Sequence, residues 1–137
     1  MLEISLKLLA ATIIGMIIGL ERTLAGKHAG IRTHSLLCLA TCSLVCLSDY
    51  ILPNETPRII SGIVQGIGFI GAGVIFMQEE RGVKGLTSSV ILWLTGIIGM
   101  IIGSRYYLII IPVIICYLLA IIVFNKLEIK IKNKITK

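Results

Sequence analysis

The sequence predicts an all-α fold, a polytopic membrane protein of five transmembrane helices with its N-terminus outside and its C-terminus in the cytoplasm. Two observations carry that prediction. First, 56% of the 137 residues are hydrophobic and 14 more are glycine, while only 15% are charged, against about half apolar and about 25% charged in soluble domains. The mean hydropathy is +0.99, and a soluble globule of this size could not hide that much apolar surface. Second, the apolar residues gather into five stretches of near-spanning length, each closed by a polar cluster that hydrocarbon rejects. Together they exclude a soluble enzyme, a disordered tail and a small secreted disulfide-bonded domain.

A bilayer core of about 30 Å needs roughly 20 helical residues. The first stretch, Leu6 to Leu20, ends at the polar segment from Glu21 to Arg32. The N-terminus has Glu3 and Lys7 rather than a positive leader and no small-residue cleavage site follows, so this span is expected to be retained. The second, Ser35 to Leu52, ends at the run from Pro53 to Arg58. The third, Ile59 to Met77, ends at Gln78-Glu79-Glu80-Arg81 and Lys84. The fourth, Leu86 to Gly103, ends at Ser104-Arg105. The fifth, Tyr107 to Phe124, has Tyr106 and Tyr107 at its start, where amphipathic rings favour the interface. Residues 1–125 thus form one membrane domain. Residues 126–137 form a basic cytoplasmic tail in which Ile and Lys alternate, suited to the membrane surface.

Orientation follows from where Lys and Arg fall. Five spans put Arg22, Lys27, Arg32, Arg81, Lys84, Lys126, Lys130, Lys132, Lys134 and Lys137 on one side and Lys7, Arg58 and Arg105 on the other. A bias of ten to three predicts that the first side is cytoplasmic. The formal charge of +6 therefore sits beside the membrane helices without interleaved aromatic residues. This pattern favours membrane lipids, through their anionic headgroups, over nucleic acid.

In the third span Gly66, Gly68 and Gly71 spell G-x-G-x-x-G. The dinucleotide reading fails, because that fingerprint needs a preceding strand and a helix N-terminus. Helix packing fits better, since glycine lets backbones approach where lipid gives no hydrophobic drive to associate. Gly15 and Gly19, Gly62 and Gly66, and Gly99 and Gly103 are each four apart. With Gly68, Gly71 and Gly73 they predict a tight bundle or a homo-oligomer. Cys38, Cys42 and Cys46 share one helical stripe with His34. Each four-residue step climbs about 6 Å, too far for one zinc ion to use the stripe. Cys116 is expected at a depth similar to Cys42. The cysteines are read as packing residues, with no metal, cofactor or disulfide implied.

Polar residues inside spans are costly and few. Asp49, near the outer end of the second span, is read as held by a partner such as Arg58, with ion binding as the alternative. Gln65 lies within the third span. At the inner face, Glu21, Arg22, Arg32, Thr33 and His34 are expected to meet Glu79, Lys84 and Thr87 in an ion-pair network locking two cytoplasmic loops. An ordinary solvated helix end is the simpler account of Glu21 and Arg22. No nucleophile, base and orienting group occur together, so no catalytic residue is assigned and an enzyme is not expected.

These inner-face residues also carry a resemblance. Gly19-Leu20-Glu21-Arg22 and Gly26-Lys27-His28-Ala29-Gly30-Ile31-Arg32-Thr33-His34 resemble the G-L-E-R and G-x-x-A-G-L-R-T-H segments of the MgtC/SapB family. The run from Ile67 to Ile75 is similar to that family's glycine-rich helix. Lys84 to Trp93 is similar to its R-G-L-T-T-A-A-T-L-W segment, with Ser88, Ser89 and Val90 replacing the small Thr/Ala run. The resemblance implies a bacterial inner-membrane protein of magnesium limitation and, in pathogens, of virulence. It implies a regulatory role through contacts with other membrane proteins, including the proton-conducting part of ATP synthase. Many members carry a soluble ACT-like domain after the fifth span, so this chain is expected to be the membrane-only type. The alternative is a magnesium transporter or channel. Magnesium favours octahedral oxygen ligands, and the middle of the spans holds no Asp or Glu; only rings of Asp49 outside and Glu21 or Glu79 inside would supply them.

Overall fold

The computed structural model describes residues 1–76, 85–104 and 106–135. Five α-helices, and no strand, occur among the described residues: α1 (Leu2–Leu24), α2 (Ile31–Ile51), α3 (Thr56–Phe76), α4 (Leu86–Gly103) and α5 (Ile110–Ile135), the last preceded by a 3-10 turn at Tyr107–Ile109. The first four are long and apolar enough to cross a membrane, and Tyr107–Ile121 is a shorter apolar stretch. The chain forms two compact units, Met1–Arg105 and Tyr106–Lys137. Helix α5 runs unbroken through residues 125 and 126 to Ile135.

The joint between α1 and α2 is built by local chemistry. Gly26, at φ +67°, takes the left-handed conformation that only glycine adopts without strain. With it, the Lys27 N–H reaches the Arg22 carbonyl and the Gly26 N–H reaches the Thr23 carbonyl, satisfying the last turn of α1. Gly30 opens α2 with no side chain of its own. The Thr23 hydroxyl accepts the Ile31 N–H instead, at 3.2 Å, so α1 caps α2. Pro57 falls in the first turn of α3, where its missing N–H has no helical role.

Within the first unit, α2 is the packed centre. Its Cys38, Cys42 and Val45 are fully buried. Glycines of two neighbours lie against it: Gly15 and Gly19 of α1 meet His34, Ser35, Cys38 and Ile31, while Gly99 and Gly103 of α4 meet Cys38, Thr41, Cys42 and Val45. The order of these contacts makes α1 antiparallel and α4 parallel to α2. Helix α3 reaches α4 through Ile67 against Gly96 and Gly71 against Ser89. Meanwhile α1 turns Leu9, Ile13, Ile17 and Leu20 outward and Ala11, Gly15, Ile18 and Gly19 inward. Small residues inside and branched aliphatics outside is the arrangement of a helix whose solvent is lipid.

Candidate functional site

Antiparallel α1 and parallel α2 and α4 bring the C-terminus of α1 to the N-termini of α2 and α4. There the Arg22 guanidinium donates from Nε and Nη2 to both oxygens of Glu21, a fork-to-carboxylate arrangement that fixes geometry as well as charge. The Arg22 side chain is 7% exposed and that of Glu21 is 38% exposed, so the cation is the buried partner. One turn into α2, His34 is fully buried, and its Nδ1 lies 2.8 Å from Thr95 Oγ1 on α4. The Thr95 hydroxyl itself lies 2.8 Å from the Ile91 carbonyl. The hydroxyl has a single hydrogen to share between that carbonyl and the ring, so the tautomer of His34 sets which of them it serves. Nε2 is buried with no hydrogen-bond partner among the described residues.

Of the residues expected in the inner-face network, Glu21, Arg22 and His34 sit at this helix junction. Arg32, Thr33 and Thr87 are exposed, with no side-chain hydrogen bond or ion pair among the described residues. Glu79 and Lys84 lie outside the described residues. At the opposite end, Ser48 donates to Thr56 Oγ1 at 2.9 Å and Thr56 donates to Asp49 Oδ1 at 3.0 Å. Asp49 is therefore held by Thr56 rather than Arg58, which pairs with Glu55 three residues away at 3.8 Å. Cys38, Cys42, Cys46 and Cys116 are all free, the first three buried and Cys116 exposed. No group of three His, Cys, Asp or Glu converges as a metal ion requires, among the described residues.

The glycines divide into two sets. A Cβ at Gly15, Gly19, Gly71, Gly99 or Gly103 would collide with a neighbouring helix, whereas one at Gly62, Gly66, Gly68 or Gly73 would meet nothing within 4 Å. On α3 the helical period puts Gly62, Gly66, Phe69 and Gly73 on one face with Gln65 at its edge. Gln65 is exposed and has no hydrogen-bond partner among the described residues, and Phe69 is 84% exposed.

Three residues that join the helices carry no signal in the sequence. Thr95 and Thr23 resemble any hydroxyl in a span. Lys7, legible only as an outer charge, lies 3.1 Å from the Gly103 carbonyl and 3.4 Å from Glu3, with its side chain 11% exposed. An ammonium at the C-terminus of α4 meets the negative end of that helix. Lys7→Met is expected to destabilise the chain by about 1.5–3 kcal/mol, the range for hydrogen bonds to charged groups. Thermal unfolding in detergent reads this out, and an unchanged midpoint would refute it.

Apolar helices of spanning length, packed through glycine and facing outward with branched aliphatics, define a multi-pass membrane protein. The MgtC family profile matches residues 8–130, and the chain belongs to that family. YhiD of Escherichia coli K12 is 35% identical over 141 residues, covering 96% of this chain and 65% of that protein. SapB of Bacillus subtilis is 36% identical over 114 residues, covering 77% and 49%. MgtC of Salmonella typhimurium is 41% identical over 98 residues, covering 72% and 42%. The chain thus spans from 42% to 65% of the length of these relatives. No solved structure matches it.

Proposed function

We propose that the protein is a non-enzymatic regulator of other membrane proteins, acting through helix–helix contact during adaptation to low magnesium and, where the bacterium is a pathogen, in virulence. One observation carries this reading: the face of α3 formed by Gly62, Gly66, Phe69 and Gly73. Gly15, Gly19, Gly99 and Gly103 are used against α2, and Gly71 and Gly96 between α3 and α4, but at Gly62, Gly66 and Gly73 a Cβ would meet nothing within 4 Å. A small-residue face lets a second backbone approach closely, and a polar amide such as Gln65 gains a partner across a helix interface that lipid cannot offer. The magnesium setting comes from the family and from YhiD, whose name proposes magnesium transport for it.

The test is complementation of growth at low magnesium, in a strain lacking its own family member. Gly62→Leu and Gly66→Leu are expected to abolish complementation while the purified protein keeps its unfolding midpoint. Retained growth with both variants would overturn the contact reading. Purified protein in liposomes is expected to pass no magnesium. A flux above empty vesicles that disappears in Asp49→Asn would replace regulation with transport.

A further inference from the structure

Helix α5 is 26 residues long, about 39 Å at 1.5 Å per residue, and so outreaches a hydrocarbon core of about 30 Å. Its apolar residues come first, from Ile110 to Phe124, and its charged ones follow. Residues 126–135 contain four lysines and one glutamate, and the backbone there is helical. In a helix, steps of four residues turn the chain by only about 40°. Lys126, Lys130 and Lys134 therefore occupy one stripe, and Leu127, Ile131 and Ile135 occupy the next. An alternating strand would instead put Lys126, Glu128, Lys130, Lys132 and Lys134 together on one face, including the acid. The helix leaves Glu128 and Lys132 off the stripe.

We propose that this stripe of α5 is a binding surface for anionic lipid headgroups. The helix emerges from hydrocarbon directly into the stripe, so Lys126 stands at headgroup level with no linker to order. Lys130 and Lys134 follow at about 6 and 12 Å along the axis. For a helix crossing near the membrane normal, the headgroup layer is only about 5–8 Å deep on each side, and the surface potential decays over about 8 Å. Lys126 and Lys130 thus act at full strength and Lys134 at reduced strength. A basic residue near an anionic surface contributes about five-fold in association. The stripe has no aromatic residue between its lysines on which a base would stack, which favours lipid over nucleic acid.

The full chain in nanodiscs tests this, with Asn133→Trp as reporter in a Trp93→Phe background. Quenching is read from headgroup-labelled phosphatidylglycerol against headgroup-labelled phosphatidylcholine. Preferential quenching by phosphatidylglycerol is expected, lost in about 1 M salt, where screening acts within about 3 Å. Lys126→Gln and Lys130→Gln are each expected to lower the preference about five-fold, and Lys134→Gln by less. The triple Lys→Arg chain is expected to keep it, which separates charge from folding. Equal quenching by the two lipids, or a preference that survives in the triple Lys→Gln chain, would overturn the proposal. So would salt-sensitive binding of a single-stranded RNA in phosphatidylcholine discs with no lipid preference.

Discussion

Gly15→Ala is expected to destabilise the protein by about 1–3 kcal/mol, the usual range for overpacking a filled interior. A Cβ at Gly15 would stand 2.6 Å from the His34 carbonyl oxygen, 2.8 Å from the Ser35 Cα and 2.8 Å from the Cys38 Cβ. Two of these are backbone atoms of α2, which no rotamer change can move aside, so α1 and α2 must separate. The opposing effect is alanine's better helix propensity, up to about 1 kcal/mol. It does not win, because separation loosens contacts all along the pair. Gly19→Ala is expected to behave alike, with its Cβ 2.6 Å from the Ile31 Cα and 2.8 Å from the Gly30 carbonyl. Gly62→Ala and Gly66→Ala add the same methyl group to open space and are expected to leave the unfolding midpoint unchanged or slightly raised. Thermal unfolding of the four variants in one detergent decides the matter. Equal midpoints across both pairs would show that α1 and α2 are not in close contact.

That contrast marks what the sequence can tell about a glycine. Spacing of four shows that Gly15 and Gly19, Gly62 and Gly66, or Gly99 and Gly103 share a face; it does not name the neighbour. The helices themselves were legible because hydrocarbon rejects polar clusters, and all five apolar stretches became helices. Their ends were not. Helix α1 starts at Leu2 and continues to Leu24, beyond the apolar run from Leu6 to Leu20, because backbone hydrogen bonding continues into the polar boundary. Partners distant in sequence were hidden for a related reason. Arg58 is the obvious cation for Asp49, but at i and i+3 it meets Glu55, and the turn delivers Thr56 to Asp49 instead. Lys7 is 96 residues from Gly103, and only the antiparallel placement of α1 and α4 brings this charge onto the end of a buried helix. The alternation of Ile and Lys in the tail was legible too. Its helical backbone was not, because the helix begun in the apolar stretch of α5 continues to Ile135.

The bond between His34 and Thr95 is expected to be the most sensitive polar contact in the first unit. It joins α2 to α4 at 2.8 Å, and both residues are 0% exposed. Thr95→Val keeps the shape of the side chain and removes only the hydroxyl. Nδ1 of His34 then loses its partner in a place water does not reach, which costs about 1–3 kcal/mol. His34→Phe removes both ring nitrogens, including Nε2, which has no partner among the described residues, and leaves the Thr95 hydroxyl still bonded to the Ile91 carbonyl. The double variant should therefore be less damaged than the two single losses combined. Side-chain hydrogen bonds between membrane helices show coupling of about 0.6 kcal/mol on average and about 1.7 kcal/mol at most, and this pair is expected toward the upper value because neither residue has access to solvent. A double-mutant cycle on unfolding free energies measures it. Losses that add within about 0.5 kcal/mol would mean that Thr95 and His34 are neighbours without being partners, and that α2 and α4 are joined without help from this pair.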